Sequence, residues 1–242
     1  MGGLFENRAF SDPWFAPVAI ILATFVAAYS TARAAQPPGP KLAQNSNTPG
    51  SLNSPSSATD PKQLRAPDVI FVPTPDEVVD AMLKIAKTGE SDVLYDLGSG
   101  DGRIAIAAAQ KYHVARAVGI DINPDRIREA NSNLHAAGGN NRVVFLNEDL
   151  FDAKISDATV VTLYLLPTLN LKLLPKLLND LKPGTRIVSH AFDMGSWKPE
   201  QSLNINGRSV YLWTIPAKGT PAYVEALAAA QSITAKQSRP TR

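Results

Sequence analysis

The sequence predicts an α/β fold, a mostly parallel sheet with helices on both faces. Three observations predict it. From residue 93 onward, short apolar runs of strand length alternate with helical stretches of about 10–15 residues. The first of those runs ends in a glycine-rich turn, Asp96-Leu97-Gly98-Ser99-Gly100-Asp101-Gly102. The chain has 242 residues, 44% of them hydrophobic, enough for one such domain plus extensions.

Composition narrows the chemistry. The formal net charge of +2 is too small to argue for a nucleic-acid partner, and none is expected. The absence of cysteine excludes a disulfide framework, a thiol nucleophile and a Cys-ligated metal site. No His, Asp and Glu cluster has metal-ligand spacing, so no metal is expected.

Residues 1–35 read as an apolar anchor or signal segment. The twenty residues from Pro13 to Ala32 carry no charge, about the length that spans a bilayer as a helix, with Trp14, Phe15 and Tyr29 near the ends. Glu6, Arg8 and Asp12 precede the run, and Arg33 and Lys41 follow it. That charge order favours an uncleaved anchor, with the membrane as a partner through residues 13–32 and the folded domain on the cytoplasmic side. The alternative is export after signal cleavage near Ala34. Residues 36–66, dominated by Pro, Ser, Asn and Gly, read as a flexible linker. The domain itself is expected over 67–220, with a tail at 221–242.

Within the domain, Thr74-Pro75-Asp76-Glu77 predicts a helix start: Thr74 as cap, Pro75 in the first turn, Glu77 completing a capping box, and a Val72–Val78 staple. That helix should end near Lys87. Strands follow at 93–97, 117–120, 143–146, 159–163 and 186–189, with a late strand at 209–215. Helices are expected at 103–112, from Asn123-Pro124 to about 137, and at 169–181 with a kink at Pro175. Tyr223 to Ala230 reads as a short helix. In such sheets ligands bind at the carboxyl ends of the strands, so the residues just after each strand matter most.

Three glycines in five residues, behind an acid and between strand and helix, let a ligand approach the backbone. A dinucleotide fingerprint would need glycine where Arg103 stands. Asp96 suits a ligand carrying an ammonium group, which S-adenosylmethionine has. Asp121, 25 residues after Asp96 at the end of the second strand, is placed to accept two ribose hydroxyls. After the third strand, Asp149 is preferred over Glu148 as acceptor for an exocyclic amine.

With those residues in order, segment 93–151 resembles the class I S-adenosylmethionine-dependent methyltransferases. Phe71-Val72-Pro73-Thr74-Pro75 ahead of a helix, and then DLGSGDGR, resemble the mitochondrial protein-lysine methyltransferases of the ATP synthase c-subunit and the adenine nucleotide translocase. DLGSG and LKPGTRIVSH are also similar to the non-SET histone lysine methyltransferase. The likeness covers about residues 68–190. It implies a Rossmann-like class I methyltransferase fold and S-adenosylmethionine as cofactor. It implies that Gly98, Gly100 and Gly102 line the methionine part, that Asp96 reaches its ammonium group, and that Thr74 and Pro75 fold over the site. Ser99, Ile122 and Leu150 complete the implied cofactor set with Asp121 and Asp149. The implied function is protein-lysine N-methylation. Methylation of a small molecule at nitrogen or oxygen is the alternative, and a non-catalytic S-adenosylmethionine-binding module a third reading. Where many amino-group methyltransferases carry Asn/Asp-Pro-Pro-aromatic, this chain has Tyr164-Leu165-Leu166-Pro167.

For the acceptor side, Tyr164 at a strand end either contacts the acceptor or packs. His190, after the fifth strand, is a candidate base or a satisfied structural histidine. Asp193 and Trp197 form either a substrate lid or an ordered loop.

Overall fold

Leu94, Tyr95, Asp96 and Leu97 are all buried, as a strand flanked on both sides and covered on both faces must be. They belong to β1 (Val93–Leu97) of a seven-stranded sheet seen in a computed structural model that describes residues 64–67 and 70–237. The other strands are β2 (Arg116–Asp121), β3 (Val143–Asn147), β4 (Val160–Leu163), β5 (Arg186–His190), β6 (Gln201–Ile205) and β7 (Arg208–Thr214). Their order is β3-β2-β1-β4-β5-β7-β6. Strands β1 to β5 run parallel, and β7 pairs antiparallel with both β5 and β6. The order reverses between β1 and β4, so a crevice opens at their carboxyl ends. This is the Rossmann-like α/β arrangement expected.

Strand side chains alternate between two cores. Leu94, Val160, Val188 and Val210 pack with Val78, Met82 and Ala105, which come from α1 (Asp76–Ile85) and α2 (Arg103–Lys111). Ala130 of α3 (Pro124–Ala136) joins that face. Leu97, Leu163, Ile187 and Trp213 face the other way, onto Leu173, Leu177 and Ala226 of α4 (Pro167–Asp180) and α5 (Pro221–Gln237). The period of two along each strand sends neighbouring side chains to opposite faces.

Several local expectations change. Thr74 does not cap α1: Pro75 stands at the cap position, no side chain caps it, and the Pro75 carbonyl accepts from Val78 and Val79 N–H. The Thr74 hydroxyl is bonded elsewhere. Val72 is exposed while Val78 is buried. Asn123 does cap α3, its side chain accepting from Asp125 N–H at 2.8 Å. Helix α4 starts at Pro167, two residues earlier than expected, and runs through Pro175 to Asp180 as expected, while α5 is a 17-residue helix instead of a short one. The late strand has a partner that the sequence did not announce, β6, reached through a tight turn at Asn206-Gly207 in which both residues have positive φ.

The membrane expectation is corrected. Among the described residues no helix is long and apolar enough to cross a membrane. The longest, α5, has 17 residues and includes Glu225 and Lys236, whereas a span needs about 20 apolar residues. The apolar run at 13–32 and the cleavage position near Ala34 lie outside the described residues. An uncharged run meets the length requirement for a span but does not by itself make one. The transmembrane helix, the membrane partnership and the membrane-anchored cytoplasmic placement, or export, therefore have no support.

Candidate functional site

The crevice at the β1/β4 switch holds a cavity of about 300 Å³. At its floor, Asp96 on β1 is 2% exposed and lies opposite Thr162 of β4 in register. The Thr162 hydroxyl donates to Asp96 Oδ1 at 2.8 Å, but Oδ2 has no partner. Burial, together with the nearby carboxylates Asp121 and Asp101, pushes the Asp96 carboxyl up to about 7.

The glycine turn is pinned to β2. Gly98 and Ser99 N–H both donate to the Ile120 carbonyl, at 2.8 and 2.9 Å. Gly100 N–H donates to Asp121 Oδ2 at 2.9 Å, and Asn123 N–H donates to the other oxygen at the same distance. Gly100 has a φ of +52°, and a Cβ there would lie 2.2 Å from the Phe71 ring. Gly102 has a φ of +81°, and a Cβ there would strike Phe145 and Ala130. Gly102 thus serves the packing of α2 against the sheet, as a third fingerprint glycine would.

The segment before α1 crosses this turn. Phe71 covers Gly100, and the Arg126 guanidinium sits 4.9 Å from the Phe71 ring centre. Arg103 grips Asp101 through Nε and Nη2 and donates from Nη1 to the Thr74 carbonyl at 3.0 Å. The residue that broke the dinucleotide pattern therefore ties the overlying segment to the turn. At the far end, Arg65 donates to Asp149 Oδ2 at 2.5 Å, and Phe151 N–H donates to Oδ1 at 3.0 Å. Burial alone would raise the Asp149 carboxyl, but Arg65 and the Phe151 amide hold it below the usual carboxylate range.

The opposite wall is aromatic. The Thr74 hydroxyl and His190 Nδ1 are hydrogen-bonded at 3.2 Å, both residues buried. The His190 ring centre lies 3.9 Å from that of Tyr164, tilted by 33°. Phe192 stacks on Tyr164 at 6.4 Å and 18°. Burial, helped by Arg208, pushes His190 down to about 4, so its imidazole is neutral near pH 7.

Most of the sequence-predicted residues meet in this one space. Asp96, Gly98, Ser99, Asp121 and Ile122 line one part of the cavity. Asp149, Leu150, Thr74 and Tyr164 line the rest. Gly100 is screened by Phe71, Gly102 is turned into the core, and His190 lies behind Tyr164. Asp193 and Trp197 form the ordered loop: Trp197 packs on Trp213, whose Nε1 donates to the Trp197 carbonyl at 3.0 Å. Reading the sequence missed Phe192, Phe71 as a cover, Thr162 and Arg65. An aromatic residue two positions after β5 was the available signal for Phe192.

Comparison with known proteins fits this geometry. Residues 96–201 match the ANTKMT methyltransferase domain. A protein-lysine N-methyltransferase of Saccharolobus islandicus is 46% identical over 153 residues, which is 62% of this chain and 95% of that protein. The chain belongs to the class I S-adenosylmethionine-dependent methyltransferases of this lysine-methyltransferase family. The methyltransferase is also 29% identical to the adenine nucleotide translocase lysine N-methyltransferase of Mus musculus, over 66% of this chain and 67% of that one. A crystal structure of an RNA methyltransferase from Salinibacter ruber, in complex with S-adenosyl-L-homocysteine, shares 54% identity. It superposes with a TM-score of 0.60 over 62% of this chain and 97% of that one. The protein is thus an enzyme that uses S-adenosylmethionine.

The residues present fit that cofactor. Its amino-acid end carries an ammonium group, and the cavity floor offers a buried carboxylate oxygen, Asp96 Oδ2, and a buried hydroxyl, Ser99 Oγ, both without protein partners.

Proposed function

We propose that this methyltransferase modifies the side-chain amine of lysine in a protein. The observation that carries the reading is the 46% identity to the archaeal protein-lysine N-methyltransferase across almost that protein's full length.

On this reading Asp96 receives the ammonium of the cofactor, Gly98 and Ser99 lie along its methionine part, and Asp121 accepts from its ribose. Ile122 and Leu150 flank the adenine, with Asp149 at its edge. The cofactor supplies an activated methyl on a sulfonium, and transfer is an in-line displacement. The chain's contribution is position and exclusion of water. Tyr164, at the end of β4, faces the acceptor. A lysine ammonium has an ordinary pKa of about 10.4 and must lose a proton before attack. His190, held down to about 4, is a poor receiver for that proton, and water takes it. His190 instead holds Tyr164 in place, with Thr74 fixing the imidazole.

A second reading is methylation of RNA, favoured by the 54% identity to the Salinibacter protein. One experiment separates the two. The enzyme is incubated with radiolabelled S-adenosylmethionine and a cell extract, and the product is split between protease and ribonuclease treatment. Label that survives ribonuclease, is released by protease and is recovered as methyl-lysine supports the proposal. Label lost to ribonuclease, or found only in small molecules, overturns it.

A further inference from the structure

We propose that Tyr164 and Phe192 form an aromatic slot for the carbon arm of the acceptor amine, and that Asn170 is the positioning residue that holds Phe192 in it. The proposal rests on the lysine reading of this cavity. The acids that line the cavity, Asp96, Asp101, Asp121 and Asp149, come from β1, the glycine turn and the ends of β2 and β3. The wall after β4 and β5 supplies only uncharged side chains: Tyr164, Leu165, Leu166, Leu169 and Phe192. An amine entering there meets ring faces and methyl groups, which attract a cation and pack its methylenes.

The placement of Phe192 is built, not incidental. Strand β5 ends at His190, and Ala191 then takes a φ of +65°. The other non-glycine residues with positive φ among those described, Lys87, His113 and Asn206, close turns remote from the cavity. A left-handed residue with a Cβ is strained and persists only where its surroundings impose it. Here Ala191 N–H still donates to the Ser209 carbonyl at 2.7 Å, while Phe192 N–H turns back onto the His190 carbonyl at 2.8 Å. Asn170 of α4 clamps the kink from both sides. Its Nδ2 donates to Ser189 Oγ at 3.1 Å and to the Phe192 carbonyl at 3.2 Å. Asn170 is 0% exposed, and its Oδ1 has no hydrogen-bond partner. Leu169, Leu173 and Leu174 lie near it in sequence, and a leucine there would carry no unpartnered oxygen but would leave the Ser189 hydroxyl and the Phe192 carbonyl without a donor. The amide is explained by what it holds.

Phe192→Leu, Phe192→Trp and Asn170→Leu are compared with the parent enzyme. Three quantities are read: the calorimetric Kd for S-adenosylhomocysteine, the melting temperature, and the apparent KM and kcat with ribonuclease-treated extract protein as acceptor. Phe192→Leu and Asn170→Leu should each raise the acceptor KM about ten-fold, with Kd within two-fold of the parent. Phe192→Trp should restore most of the affinity. Asn170→Leu leaves the buried Ser189 hydroxyl and the Phe192 carbonyl without their donor and should lower the melting temperature, yet adding it to Phe192→Leu should raise KM no further, because both act on the acceptor through one ring. If label stays in protein and KM is unmoved in Phe192→Leu, or the two leucine variants raise KM in simple multiplication, the slot is wrong while the lysine reading stands. Label confined to RNA overturns the lysine reading and this slot with it.

Discussion

The imidazole of His190 lies face to tilted face on the phenol of Tyr164, ring centres 3.9 Å apart, with Thr74 bonded to its Nδ1 from behind. A buried, neutral imidazole in that position supports a ring and does not shuttle protons. The pH–rate profile should therefore carry no inflection near 6.5 from this residue. His190→Phe, combined with Thr74→Val to avoid stranding the hydroxyl, should keep at least a third of kcat, whereas His190→Ala should lose about ten-fold. A general base would make both variants fall together by about 100-fold or more, which steady-state kinetics would show.

Asp96 gives the cofactor site a pH dependence of known sign. Its carboxyl is raised to about 7 when folded, so between about pH 4 and 7 the folded chain keeps a proton that the unfolded chain has lost. Ligand-free stability from this group is present below pH 4 and is lost as pH rises through 7. His190 acts in the opposite sense: held near 4, it costs stability as pH falls from 6.5 towards 4. The Asp96→Asn variant isolates the first contribution. An ammonium ligand selects the ionised carboxylate, so S-adenosylhomocysteine should bind about ten-fold more weakly at pH 6 than at pH 8. Calorimetric titration should find that dependence gone, and overall affinity lower, in Asp96→Asn.

Gly100 and Phe71 should be coupled. Gly100→Ala puts a methyl 2.2 Å from the Phe71 ring at a φ of +52°, so the ring must leave. Destabilisation of about 1–3 kcal/mol is expected, together with weaker S-adenosylhomocysteine binding. Phe71→Ala should weaken binding less, and the double variant should be less damaged than the sum of the two. Urea unfolding and a double-mutant cycle measure the coupling; strict additivity would show that Phe71 does not cover the turn.

At the amino-terminal ends of the parallel strands, opposite the cavity, Arg186 of β5 pairs with Asp92 and donates to the Ala86 carbonyl at 2.7 Å. Asp92 is 5% exposed and also accepts from Gly89 N–H and the Thr159 hydroxyl. Arg186→Met leaves that carboxylate without its cation and should cost about 3 kcal/mol in urea unfolding. The contact is far from the cavity in the fold, so cofactor affinity should not change; a large rise in Kd would contradict the separation described above.

Strands β1 to β5 were legible because buried parallel strands are continuous apolar runs, and the Asp96, Asp121 and Asp149 positions followed from where those runs end. Strand β6 was not, because Gln201–Asn204 are exposed and show no apolar pattern; the Asn206-Gly207 pair was the readable sign of a hairpin. Thr74 looked like a helix cap because capping is a local preference, and a partner 116 positions away, His190, took its hydroxyl. Arg65 fell in a stretch whose composition reads as linker, yet it ion-pairs with Asp149, and no local pattern encodes a contact across that distance. Phe192 hid in a loop, since its direction depends on a strained neighbour and a helix amide.

The bond between Thr74 and His190 also joins parts of the chain made far apart in time, 116 positions from each other. A nascent chain that has reached Asp149 already carries Asp96, Asp101, Asp121 and Asp149, but neither Tyr164 nor the imidazole that props it exists yet. The segment over the glycine turn gains its second anchor only when β5 emerges. A chain ending after β3 would carry those acids without the wall that Tyr164, His190 and Phe192 form.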